Sequence, residues 1–253
     1  MKIVPTITAY TPEEFVKQSD IISSLRVLKP RTRSGGSNPV LPSQESRVTS
    51  YDGIPNPDRH VANASRDDKL RVQIDLTDGE FAKPKTINLN QIYWPMEWAV
   101  DLHLMFAEPT KWTEMIVSLN PRLVIIHAEA GGDLFGFIEH LHKFGIKVGV
   151  ALLPETTVES VKELIKIADH ILIFGGNLGS QGGTADLSQL EKVKQIRAVN
   201  PNIEIGWDGG ANLENVAQIA KAGVDIINVG SAIQNAKNPA ETFEQLSKLS
   251  GPT

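Results

Sequence analysis

The feature that most constrains this chain is a repeated alternation. Eight short apolar runs, at residues 2–8, 70–76, 99–105, 123–128, 147–152, 171–174, 203–207 and 226–229, are separated by segments of a different period. In three of those segments, 158–165, 187–199 and 213–222, apolar residues recur three and four apart, as on a helix with one buried face. Thr11-Pro12-Glu13-Glu14 reads as a helix start, with an N-cap, Pro at the first position and acids in the first turn, for a helix running to about Leu25. A last helix is predicted over 239–249, entered at Asn238-Pro239. Residues 81–98 contain Pro84, Pro95 and two Trp, and predict a poorly formed crossover helix.

Strands alternating with helices imply a parallel sheet with right-handed crossovers. Eight units in 253 residues fit a single α/β domain, a closed (β/α)8 TIM barrel spanning 1–253. A doubly wound open sheet competes, but it usually carries a Gly-rich turn after its first strand. Pro5-Thr6-Ile7-Thr8 offers none.

Residues 26–68 interrupt the alternation after the first βα unit. They are rich in Pro, Gly, Ser, Asn and Arg and lack either period. A flexible insertion is expected, because the stretch has almost no apolar residues to dock with. A lid over the active site is the alternative, since long loops often carry function.

In a parallel barrel the chemistry collects at the C-terminal ends of the strands. The second strand carries Asp75 and Asp78, the third Asp101 and His103, the fourth His127 and Glu129, and the seventh Asp208. Asp78 precedes a Gly and suits a turn cap, whereas Asp75 sits between apolar neighbours, where an unpaired carboxylate is costly. Taken singly, a strand His is a common core residue and Asp208 before Gly209-Gly210 a common turn residue. Together, carboxylates and imidazole at one mouth form an acid–base site or a divalent metal site. The late strands run into Gly-rich turns: 175–183, Gly209-Gly210 and Gly230-Ser231. Such turns either make tight bends or present backbone N–H groups to a phosphate, and three adjacent units favour the phosphate.

Composition removes other classes. With no Cys, the chain has no disulfide, thiolate nucleophile or Cys-bound zinc. A net charge of −5 argues against nucleic acid as a partner. No apolar run is long enough to span a bilayer and nothing like a signal peptide opens the chain, so a cytoplasmic enzyme without a membrane partner is expected by elimination.

These residues resemble the ribulose-phosphate 3-epimerase family over 2–25 and from 70 onwards. The PSIL motif resembles Pro5-Thr6-Ile7-Thr8, and HIDVMDGxF resembles the run from Gln73 to Phe81. DVHLM matches Asp101 to Met105, and HAE is His127-Ala128-Glu129. PGFGGQ is loosely kept at 178–183, VDGG appears as Trp207 to Gly210, and VAGSAIF runs from Asn228 to Gln234.

The resemblance implies interconversion of D-ribulose 5-phosphate and D-xylulose 5-phosphate, with Asp75 and Asp208 as the two catalytic acids and bases on opposite faces of the sugar. It implies a divalent metal (zinc, iron, manganese or cobalt) held by Asp75, His103 and Asp208. Gln73 stands where the family has its second His, a poorer ligand for zinc or iron. Thr77 and Phe174 replace Met residues that line the family site. A small phosphosugar would meet Thr6, Met105, Gly179, Gly182, Gly209, Gly210, Gly230 and Ser231, and a homo-oligomer is expected. The alternatives are another ketose-phosphate epimerase, a different phosphate-binding barrel enzyme, or a degenerate barrel that binds sugar phosphate without turnover. A Schiff-base aldolase ranks low, because Lys147 begins its strand at the wrong end.

Overall fold

The structure, a computed structural model, describes residues 1–25, 69–176, 178 and 183–251. Its strands are β1 (Lys2–Thr8), β2 (Leu70–Thr77), β3 (Trp98–Met105), β4 (Leu123–His127), β5 (Lys147–Leu152), β6 (His170–Phe174), β7 (Glu204–Asp208) and β8 (Ile226–Val229). They pair in sequence order, every pair parallel, and β8 closes on β1. The expected (β/α)8 barrel is therefore the fold. The helices α1 (Pro12–Ser24), α2 (Thr113–Leu119), α3 (Leu134–Lys143), α4 (Lys162–Ile167), α5 (Glu191–Val199), α6 (Val216–Lys221), α7 (Ser231–Gln234) and α8 (Pro239–Leu249) follow in order.

Alternation along each strand divides the interior into two compartments. One set of side chains, among them Ile74, Leu102, Leu104, Val148 and Ile205, points outward into the main core under the helices. The other set points into the barrel, where Leu123, Ile125, Ala151 and Leu172 form a separate apolar layer. Polar side chains sit above and below that layer.

Below it lies a floor of charges. Arg71 Nε meets Asp101 Oδ2 at 2.5 Å and its two terminal nitrogens grip Glu204 at 2.8 Å each. Arg122 reaches Asp101 Oδ1 at 3.0 Å and His170 Nδ1 meets Glu204 at 2.9 Å. This overturns the placement of Asp101 at the mouth. It lies two residues before His103 on the same face of β3, hence one layer deeper, where only the cations from neighbouring strand starts can neutralise it.

The crossover at 81–98 holds no helix beyond one 3-10 turn, Leu89–Gln91. Its backbone is used otherwise: Thr86 N donates to Thr77 O and Ile87 N to Ala9 O, so the chain extends the strand ends instead of coiling. The helix predicted over 213–222 is shorter, Val216–Lys221. Asn212 accepts from Glu214 N and Asn215 from Asn212 N, and these side-chain turns compete with helical bonding. The insertion expected at 26–68 lies outside the described residues. The chain leaves them at Leu25, after a helix running back from the mouth, and returns at Lys69, just before β2. Lys69 lines a hollow of about 320 Å³ with Met1, Lys2, Arg71 and Asp225 at the N-terminal face.

Candidate active site

Three interior side chains meet at the top of the barrel. One ligating atom each of Asp75, His103 and Asp208 falls within 4.8 Å of the others. The strands impose this: Asp75 and His103 are register partners on β2 and β3, and Asp208 ends β7. His103 Nδ1 lies 3.1 Å from Asp75 Oδ1 and 3.6 Å from Asp208 Oδ2. Thr8, the register partner of Asp75 on β1, donates its hydroxyl to Asp75 Oδ2 at 2.8 Å.

Gln73 lies one layer below Asp75 and bridges the acids. Its Nε2 donates to Asp75 Oδ1 at 2.8 Å and to Asp208 Oδ2 at 2.5 Å. Its Oε1 is buried with no hydrogen-bond partner. As oriented, Gln73 therefore offers N–H groups rather than a lone pair, and it is not placed as a fourth ligand. A half-turn about its last side-chain bond would exchange the two ends.

The electrostatics follow from crowding two acids in a dry place. Burial, then the charge of Asp75, pushes the Asp208 carboxyl up to about 7, although His103 and Gln73 pull it back. Burial opposes a charged His103, but its hydrogen bond to Asp75 and the charges of Asp75 and Asp208 win, so its pKa is raised. His127 is the reverse: burial, aided by His103, holds it down to about 4 while Glu129 only partly opposes.

His127 Nε2 stands 3.0 Å from His103 Nε2, and its Nδ1 lies 3.4 Å from Glu129 Oε2. Phe81 and Phe174 flank His127, with ring centroids 4.8 and 6.1 Å away. Asp78 is a turn cap, its Oδ1 accepting from Glu80 N and Phe81 N and its Oδ2 from Ala107 N. Met105 is buried at the end of β3. Thr77 is taken up by the crossover, donating to Pro84 O at 2.5 Å.

The glycines separate into two kinds. A Cβ at Gly209 would come within 2.2 Å of Gly176 N, and one at Gly210 within 2.4 Å of Ala185 N, both at positive φ. These two let neighbouring loops touch backbone to backbone. Gly230, just before Ser231 in α7, has Thr6 Cβ at 3.7 Å as its nearest neighbour, so a Cβ fits there. The Thr6 hydroxyl beside it is buried without a partner. Gly179 and Gly182 lie outside the described residues. Thr8 escaped notice in the sequence although it stands in the quoted motif. Only its pairing with Asp75 gives it meaning.

A closed parallel barrel with two neighbouring acids, an imidazole and glycine-built turns at its C-terminal mouth defines a (β/α)8 protein whose polar site is assembled from several strands. The chain belongs to the ribulose-phosphate 3-epimerase family, whose profile matches residues 54–234, and is accordingly an isomerase. Ribulose-phosphate 3-epimerase of Helicobacter pylori strain J99 is 29% identical over 201 residues, covering 77% of this chain and 92% of the relative. The enzyme of that name from Aquifex aeolicus is 28% identical over 182 residues, covering 69% and 82%. Among solved structures, 3-hexulose-6-phosphate synthase from Salmonella typhimurium superposes with a TM-score of 0.61 at 14% identity, covering 99% of this chain and 98% of the other. Orotidine 5'-phosphate decarboxylase from Pyrococcus horikoshii gives 0.55 at 15% identity, covering 99% and 100%. These two likenesses concern the fold alone.

Proposed function

We propose that this protein interconverts D-ribulose 5-phosphate and D-xylulose 5-phosphate, with Asp75 and Asp208 exchanging the proton at carbon 3. The observation that carries this reading is the pairing of two carboxylates at one mouth with unlike surroundings. Asp75 is held by Thr8, Gln73 and His103. Burial and the charge of Asp75 favour a proton on Asp208 in the metal-free protein. Inversion through a planar enediolate needs one group to remove a proton while another supplies one from the opposite side, and unlike environments divide those duties.

Asp75, His103 and Asp208 fit a divalent cation by donor chemistry: two carboxylate oxygens and an imidazole nitrogen suit zinc, iron, manganese or cobalt. When bound, such a cation would act as a Lewis acid toward the substrate oxygens. Gln73 would join it only with Oε1 turned inward. The chain's own part is to orient Asp75 through Thr8, to keep water out with Phe81, Phe174 and Met105, and to receive the phosphate at Gly230 and Ser231 beside Thr6. Gly209 and Gly210 shape the neighbouring rim. We read the protein as a homo-oligomeric cytoplasmic enzyme with a small phosphosugar partner. Among the described residues no helix is long and apolar enough to cross a membrane.

A second reading, another ketose phosphate, is favoured by Thr77 and Phe174. The first has turned to Pro84 and the second places an aromatic ring near His103, with centroids 6.3 Å apart. Turnover of ribulose 5-phosphate by the purified protein, with and without added divalent metals and beside a panel of other ketose phosphates, separates the two. No turnover of ribulose 5-phosphate under any metal condition would remove the first.

A further inference from the structure

We infer that Glu129, acting through His127, decides which nitrogen of His103 keeps its lone pair. This rests on the reading of Asp75, His103 and Asp208 as a cation site, but its first test does not.

His103 turns Nδ1 toward Asp75 and Asp208 and Nε2 toward His127. Without a cation, Nδ1 donates to Asp75; to bind one beside the two acids, His103 must give up that proton, present Nδ1 as a lone pair and keep its other proton on Nε2. The rings of His103 and His127 are 28° from parallel with centroids 5.1 Å apart, so the 3.0 Å contact between their Nε2 atoms is edge to edge. Exactly one proton can lie between those two nitrogens. If His103 supplies it, His127 accepts at Nε2 and, being neutral, carries its own proton on Nδ1.

His127 Nδ1 is buried and has no hydrogen-bond partner at ordinary length. The group it approaches is Glu129 Oε2, at 3.4 Å. A carboxylate only accepts, so it favours the Nδ1–H form of His127. The order of protons then runs one way: Glu129 accepts from His127, and His127 accepts from His103. Metal-binding histidines are commonly fixed by such an outer partner. Here the anchoring carboxylate is one imidazole further out.

Glu129 is itself held in one orientation. Its Oε1 accepts from Leu153 N at 3.1 Å and from the Thr156 hydroxyl. A backbone N–H can only donate. In Glu129→Gln the amide oxygen must therefore stay with Leu153, which turns the NH2 group toward His127 Nδ1. An N–H pointing there selects the other tautomer of His127, with its proton on Nε2. His103 then has to accept at Nε2 and protonate Nδ1, the nitrogen facing the two acids. Glu129 and His127 are thus positioning residues, and Glu129→Gln reverses the chain while changing almost no volume.

The first test is nitrogen-15 NMR of the histidine side chains in the metal-free, full-length protein. Wild type should show His127 protonated on Nδ1, and Glu129→Gln should show it protonated on Nε2. The second is titration with Mn2+ and Co2+. Glu129→Gln should bind each at least tenfold more weakly, within the range of about 10–100-fold seen when outer partners are lost. Its melting temperature should stay close to wild type. Glu129→Asp, which keeps an acceptor, should retain the wild-type nitrogen pattern and recover part of the affinity. An unchanged His127 pattern in Glu129→Gln overturns the inference, and so does a reversed pattern with unchanged affinity. A wild-type protein that binds neither cation removes the cation reading, and the NMR comparison then decides the proton order alone.

Discussion

Gln73 donates an N–H to Asp208 across the barrel mouth, 2.5 Å from Nε2 to Oδ2. Its second N–H goes to Asp75, so one neutral amide quiets two facing acids with the partial positive charge that a cation would bring in full. Replacing it by the family's imidazole should change the balance toward metal. We expect Gln73→His to bind Zn2+ at least tenfold more tightly, about 1.4 kcal/mol, and to turn over ribulose 5-phosphate faster. Isothermal titration and a coupled epimerase assay read the two effects separately. Tighter binding without faster turnover would mean that the site has moved to another substrate or to binding alone.

Asp75→Asn and Asp208→Asn should each lower kcat by about 10²–10⁴-fold, the usual worth of a placed acid or base. Both amides fit the same space, and in Asp75→Asn the new NH2 can face Thr8, whose hydroxyl can turn to accept, so melting temperatures should change little. Full activity in Asp75→Asn would mean that the two-carboxylate mechanism is wrong.

Thr8 is expected to matter through one hydroxyl. Thr8→Val keeps the shape but removes the bond to Asp75 Oδ2, and a hydrogen bond to a charged group contributes about 1.5–3 kcal/mol. A loss of roughly tenfold or more in kcat, with Thr8→Ser near wild type, is the expected pattern in steady-state kinetics.

The floor should govern stability and leave turnover alone. Arg71→Met strands Asp101 and Glu204 without their main cation. Breaking a buried pair from one side costs about 3–5 kcal/mol, and Arg122 beside Asp101 points to the lower end. Denaturant unfolding should show this, with kcat unchanged at a temperature where the variant is folded. The pH dependence has a definite sign. Although burial opposes it, hydrogen bonds and charge from His170 and Arg71 hold Glu204 far below its ordinary 4.5. A depressed acid stabilises the fold above the unfolded value and loses that contribution as pH falls through the folded one. Wild-type stability should therefore decline below about pH 4.5, and Arg71→Met should flatten that decline.

The glycines should respond in opposite ways. Gly210→Ala drives a Cβ into Ala185 N at positive φ and should cost about 1–3 kcal/mol of stability. Gly230→Val has room to fold, yet its side chain occupies the space beside Thr6 where the phosphate is expected. A raised KM with an unchanged melting temperature is the expected result, and an unchanged KM would remove the phosphate assignment there.

The barrel was legible in the sequence because its signals are local. Each strand is a short apolar run and each helix a 3.6-residue period, and β1, β5, β8 and α8 begin and end at the residues that this pattern marks. Asp75, His103 and Asp208 were legible for a similar reason, since strand-end position needs only the count of units. What failed locally was decided by longer contacts. The 81–98 crossover spends its backbone on Thr77 and on Ala9, and the second lies far outside any local window of sequence. Asp101 and His103 share one face of one strand, yet Arg71 and Arg122 claim the first for the floor and Asp75 the second for the mouth. The sequence alone determined which residues stand inside the barrel. Only the closed tertiary structure decided their partners: Thr8 with Asp75, Gln73 between two acids, and His127 between His103 and Glu129. Closure brings β2 within hydrogen-bond reach of β7, and in a dry interior each polar group must take whatever partner the opposite wall supplies.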